Sequence, residues 1–231
     1  MRGLGLVLVG MLGVAAAACS PGGSSGPDAG KLLRDSGTAM TSVQTVTADL
    51  TFGQGLSFQG FTLVSAVSKL KLPADSDSTF KVKQNDFLVD VRVVSVGGST
   101  YLKVPFTPFT ALPAAQAASL PDPAKLLDPV KGLPGLMGRG RKPAVAGSEA
   151  VDGIDCDRVS ATYAAADVGA ALGGALTPAS DVVATFWIAK KDHLVRRASL
   201  AGQLVTAGKS TTADVRLHDF NAPLEIAVPA V

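Results

Sequence analysis

Residues 45–52 alternate strictly: Val46, Ala48, Leu50 and Phe52 are apolar, and Thr45, Thr47, Asp49 and Thr51 between them are polar. A two-residue period puts one set of side chains on each face of an extended chain, so this stretch predicts a half-buried strand and not a helix. The same period returns in residues 79–84, where Phe80 and Val82 oppose Lys81 and Lys83. It returns again in residues 86–94, where Phe87, Val89, Val91 and Val93 oppose Asp90 and Arg92. A short turn at Asn85-Asp86 joins these two segments, so successive antiparallel strands present one apolar face.

Other segments extend the pattern. Residues 61–72 read as a strand of open register, and Gly97-Gly98 turns the chain into a strand around Tyr101–Val104. Before them, residues 28–44 carry Leu32, Leu33, Ala39, Met40 and Val43 near a helical stripe, with Pro27 and Asp28 at its start. Short helical pieces fall at 124–127 and 130–137. The second half repeats the style without a residue-level repeat: a strand-like run 144–163, an Ala/Gly helix 164–176, and strands near 181–189, 194–205 and 210–220. Lys190-Lys191-Asp192-His193 forms a charged hairpin tip. Phe186, Ile188, Ala198, Leu200, Val215 and Leu217 are spaced for a continuing apolar face.

Between Val104 and Pro121 no residue is charged, and Pro105, Pro108, Pro113 and Pro121 forbid a continuous helix. Phe106, Phe109, Leu112 and Leu120 make this connector greasier than solvent demands, so it is either a lid or a loop packed on the core. Arg139, Arg141 and Lys142 lie among glycines and read as a solvated turn, with contact to anionic head groups as the alternative.

At the N-terminus, Arg2 precedes a mostly apolar, uncharged run, residues 3–18, that ends at Ala16-Ala17-Ala18 and Cys19. This is the layout of an export signal. A Gly/Ser-rich segment follows the cysteine at once, so we expect a signal peptide over 1–18, lipidation at Cys19, a flexible tether over 19–27 and one domain over 28–231. Two or more acyl chains would give stable anchoring to the outer face of the cell membrane, where one is marginal. The alternative is an ordinary secretory signal with Cys19 incidental. Once Cys19 is lipidated, Cys156 is the remaining thiol, so the fold must be held by packing without an internal disulfide. With basic and acidic residues nearly balanced, 21 against 19, no global field recruits nucleic acid. At 47% apolar residues the chain is greasy for a surface protein, and the surplus must be hidden somewhere.

Catalytic and metal chemistry finds little support. Gly22-Gly23-Ser24-Ser25-Gly26 spells G-x-S-x-G but sits in the tether, where the strand and helix of a nucleophile elbow have no place. His193 and His218 each neighbour an acid, Asp192 and Asp219, yet no activated serine or cysteine ties to either, and both read as solvated histidines. No zinc, calcium, Walker or dinucleotide spacing occurs, so no metal, cofactor or enzymatic role is expected.

Asp122-Pro123-Ala124-Lys125-Leu126-Leu127-Asp128-Pro129, the Val151-Asp152-Gly153 turn, and Ala184-Thr185-Phe186-Trp187-Ile188 followed by Asp192-His193-Leu194 resemble the mycobacterial lipoprotein family of LppX, LprA, LprF and LprG. The resemblance implies an α+β fold: a strongly curved antiparallel β-sheet, a half-barrel wrapped over a few helices, with a central apolar cavity, similar to periplasmic lipoprotein carriers. It also implies an acylated lipid or glycolipid as partner, a shuttle or presenting role in the envelope, and a membrane lipid exporter as a candidate partner. The small side chains of 164–176 agree with unfilled interior space. The expected ligand-contact residues are Phe80, Val82, Phe87, Val89, Val91 and Val93, with Phe186, Ile188, Leu200 and Leu217 as further candidates; for each the alternative is plain core. The competing function is a structural or adhesive cell-wall lipoprotein with a solid core and no ligand.

Overall fold

The computed structural model describes residues 27–53, 56–58, 61–84, 86–172, 177–205 and 208–231. The expected signal peptide, Cys19, the tether up to Gly26 and the turn residue Asn85 lie outside the described residues.

Helix α1 runs from Ala29 to Met40, shorter than the span 28–44 expected from its stripe. The Asp28 carboxylate accepts a hydrogen bond from the Lys31 amide at 3.0 Å and caps the start. At the other end, the Thr41 and Ser42 hydroxyls donate to the carbonyls of Thr38 and Ala39, each at 2.7 Å. Those carbonyls need no further helical turn, so the chain bends there and Val43 drops into the core.

The strands are β1 (Thr45–Phe52), β2 (Ser57–Phe58), β3 (Phe61–Lys71), β4 (Asp75–Gln84), β5 (Phe87–Val96), β6 (Ser99–Lys103), β7 (Thr110–Ala111), β8 (Arg141–Val151), β9 (Ile154–Tyr163), β10 (Val182–Ala189), β11 (Val195–Gly202) and β12 (Thr211–His218). They form one antiparallel sheet in the order β7-β6-β5-β4-β3-β1-β12-β11-β10-β9-β8, with β2 paired on β3. The sheet is an open half-barrel, and the fold is α+β as the resemblance implied. Two meanders meet at its centre, where the first strand pairs with the last: Ala48 lies opposite Leu217, and Leu50 opposite Val215. The run 144–163 is a hairpin, β8 and β9, turned at Asp152 and Gly153, whose positive φ angles of 50° and 78° suit a tight two-residue turn.

The period of two does what the sequence required. On β4, Phe80 and Val82 are buried while Lys81 and Lys83 face out. On that outer face Lys81 pairs with Asp90 at 3.1 Å and Arg92 with Asp77 at 2.5 Å across neighbouring strands. The inner face carries a helical layer: α1, a 3-10 turn (Pro123–Leu127), α3 (Leu133–Met137) and α4 (Ala165–Ala171), while a short α2 (Ala114–Ala117) lies beside β6. Gly37 of α1 lets the Pro134 carbonyl of α3 approach to within 2.7 Å of where a Cβ would stand. Beneath them, Tyr163 and Phe186 meet edge to face at 6.0 Å, and the buried Tyr163 hydroxyl donates to the Met137 carbonyl at 3.3 Å. Burial pushes the Tyr163 phenol up from its ordinary value.

The 104–121 connector carries two short elements, β7 and α2. Several expectations are corrected. Of the basic residues 139–142, Arg139 lies on an exposed turn as expected and binds Asp167 and the Val130 carbonyl, each at 3.0 Å, whereas the exposed Arg141 and Lys142 open β8, with Arg141 paired to Asp181. The histidines are not simply solvated. His218 is held between Asp219 at 2.9 Å and Asp49 at 3.2 Å across the β1–β12 seam, and the His193 Nδ1 is buried. Asp192 is engaged by Arg196 and the Leu194 amide and orients neither histidine. Cys156 is a buried free thiol on the outer face, in a small cluster with Val151, Trp187 and Ala189, and burial raises its pKa.

Candidate functional site

The inner face of the sheet is wider than its helical cover. The helices sit over the β8–β9 side and the 3-10 turn reaches β3 and β4. Beyond β4, over β5 and β6, the covering side chains come from the Leu120-Pro121 segment. Two apolar hollows result.

The first hollow lies between the centre of the sheet and the helices. It holds about 570 Å³ of space, measured out to its open mouth. Leu50, Phe52, Ala198, Leu200, Ala213 and Val215 form its floor, and Leu126, Leu133, Leu136, Val168, Ala171 and Leu172 its roof. It exists because small side chains stand where a filled core would place large ones. Ala213 faces Leu200, Ala198 faces Val215, and Ala171 of the Ala/Gly-rich α4 closes the top. Residues 173–176 of the expected helix lie outside the described residues.

The second hollow, about 590 Å³ on the same measure, runs under β3 to β6 and is lined by Phe61, Leu63, Phe80, Val82, Val91, Val93, Leu102, Val104, Leu120 and Pro121. It continues through Val93, Leu120 and Pro121 into a polar recess lined by Ser95, Thr100, Asp122 and Lys125. The register explains the gradient. On β5 and β6 the inward pairs are Ser95 opposite Thr100 and then Val93 opposite Leu102, with Val91 and Val104 further on. Ser95 and Thr100 share a hydrogen bond at 3.2 Å. The next inward pair on the β4 side, Ser76 opposite Ser95, extends the hydroxyl row, and the buried Ser68 and Ser78 hydroxyls one step along have no protein partner. The space is thus apolar at one end and rich in hydroxyls at the other.

Of the residues expected to contact ligand, Phe80, Val82, Val91 and Val93 line the second hollow and Leu200 the first. The others do not. Phe87 begins its strand opposite the last residue of β4, beyond any cover, and is 75% exposed. Val89 packs half-buried against the core. Phe186, Ile188 and Leu217 are fully buried in the main core and line neither hollow. Sequence reasoning missed the roof of the first hollow and the residues Phe61, Leu63, Leu102 and Leu120. Leu120 belongs to the apolar connector, whose inward placement beside Val93 no local period signals. Among the described residues, no three of His, Cys, Asp and Glu cluster so as to hold a metal. No described helix is long and apolar enough to cross a membrane.

The LppX_LprAFG lipoprotein family profile matches residues 28–226. The chain belongs to this family. Lipoprotein LprA of Mycobacterium tuberculosis is 32% identical over 111 residues, which cover 46% of this chain and 45% of LprA, so the chain spans under half the length of that relative. Among solved structures, LprF from Mycobacterium bovis superposes with a TM-score of 0.71 at 22% identity, covering 90% of this chain and 100% of that one. LppX of M. tuberculosis follows at 0.60 and 23%, covering 86% and 97%. At these identities the structures establish the LppX_LprAFG fold for this chain.

Proposed function

We propose that this family member is an envelope lipoprotein, anchored through an acylated Cys19, that carries or presents an acylated lipid or glycolipid in the hollows of its half-barrel. The supporting observation is the second hollow: apolar space of about 590 Å³ that grades into a recess of hydroxyls, one carboxylate and one ammonium. Its polarity suits a molecule with a hydrocarbon end and a polar end. Asp122 and Lys125 together with Ser95 and Thr100 offer both acceptors and donors, the mixture that hydroxylated head groups match.

The energetics favour carriage over permanent storage. Each methylene taken from water contributes about 0.8 kcal/mol. A chain leaving a bilayer for an apolar hollow exchanges one apolar medium for another, so the net change is small and loading is reversible. A membrane lipid exporter is the kind of partner such a carrier would serve. The test is denaturing extraction of the 27–231 chain purified from a mycobacterial host. One lipid per protein, or stoichiometric uptake of added lipid, supports the proposal. Recovery of none together with no uptake overturns it.

A further inference from the structure

We propose that the end of the sheet formed by the β4–β5 tip and the turn after β6 is a bilayer-docking corner, which seats the open rim of the second hollow on a membrane surface. This rests on the carrier reading above.

β5 begins where β4 ends, and β6, antiparallel to β5, stops level with Arg92 in mid-strand with its chain heading the same way, so both connections point to the same end of the sheet. That end gathers large exposed apolar side chains: Phe87 at 75%, Leu88 at 60%, Val104 at 40% and Phe106, which is fully exposed. Scattered single apolar residues on a surface need no account, but four on two adjacent tips do. Phe106 also has a φ of +64°, a left-handed conformation costly for a bulky side chain. Its ring contacts no core in return, so the local strain serves to present an aromatic group to the surroundings.

Two observations select a bilayer as the occupant. First, Val104 belongs to both features: it lines the second hollow and stands 40% exposed on the rim. A bilayer seated on the tips would therefore join the apolar space of the hollow without water between. Second, the outward face just behind the tips carries Lys81, Lys83, Arg92 and Lys103, each with a long stem able to reach a head-group layer while the apolar tips sit deeper. Asp77, Asp86 and Asp90 face the same region and pair with three of these cations, leaving a local excess of one positive charge, with Lys103 packed over Phe109. The attraction is accordingly apolar first and electrostatic second.

The experiment uses the 27–231 chain, which contains every described strand and helix and their shared core, and so has no acyl anchor of its own. Flotation with phosphatidylcholine vesicles, and with phosphatidylcholine mixed with phosphatidylglycerol, measures binding. The expected result is binding to both, somewhat stronger on the anionic mixture, and weakened about tenfold by Phe106→Ser or Phe87→Ser. Val130→Ser and Val228→Ser, exposed apolar residues elsewhere, should leave it unchanged. Phe106→Trp should shift its emission to the blue on adding vesicles. These side chains lie outside the core, so folding is retained, and lipid recovered on extraction should match the parent. Vesicle binding that Phe106→Ser and Phe87→Ser do not weaken, absent binding, or equal loss in the Val130 control would overturn the docking corner while leaving the cargo reading intact. Loss of extractable lipid in the parent chain would instead remove the carrier reading.

Discussion

Phe80 and Phe186 occupy equivalent inward positions on strands of the two halves, and replacing each with alanine separates a hollow from a core. Phe186 has no exposed surface, lies opposite Val159 and Ala198 on its neighbouring strands, and has Tyr163 edge-on at 6.0 Å. Truncating a ring packed on all sides costs about 3–5 kcal/mol. Phe80 is almost as buried, at 6%, yet beyond Ala66 and Val91 it borders a hollow of about 590 Å³. A ring that faces empty space has no partner atoms on that side and loses fewer contacts on removal, so Phe80→Ala should cost about 2 kcal/mol, roughly half as much. Equilibrium urea unfolding of delipidated 27–231 protein, with the slope shared between variants, gives both values. Filling the hollow supplies the missing partners, so the two costs should converge when lipid is bound. Equal costs in the delipidated state, within about 0.5 kcal/mol, would show that Phe80 is packed on every side and would refute the reasoning.

Other outcomes follow from the same structure. Val91→Trp places a large ring in the second hollow and should reduce the lipid recovered on extraction while the urea midpoint changes little. Gly37→Ala puts a methyl 2.7 Å from the Pro134 carbonyl and should cost about 1–3 kcal/mol by prising α1 from α3, read by the same unfolding assay. The Asp128 carboxylate accepts hydrogen bonds from the amides of Lys131 and Val130, which hold it below its ordinary pKa. Its contribution is therefore complete above the ordinary carboxylate value and lost as pH falls through the lower folded value. Asp128→Asn should flatten the acid limb of stability against pH. The Cys156 thiol, buried and with its pKa raised, should resist a thiol-specific reagent at neutral pH in the folded protein and react promptly in urea.

The sheet was legible in the sequence because a period of two is local. Each of residues 45–52, 79–84 and 86–94 shows its inward face without reference to anything distant, and β1, β4 and β5 follow those faces. What the period does not encode is what lies above the face. Phe186, Ile188 and Leu217 share the pattern of Phe80 and Val91, yet the former pack into closed core and the latter border a hollow, a difference that the docking of distant segments decides. Phe87 shows the other limit: its alternation is right, but a strand end projects beyond any cover. The polar recess was illegible because Ser95, Thr100, Asp122 and Lys125 come together only through strand register and the 3-10 turn.

The placement of β1 between β3 and β12 has a consequence for how the protein is made. An edge of β1 stays open, with its ladder of amides and carbonyls unmet, until residues 211–218 have emerged and added to it. Until then, two separate greasy meanders wait to be joined. The nascent chain must therefore be kept from premature association until residue 218 has emerged, and loss of residues 211–218 would split the sheet through the middle instead of trimming its border.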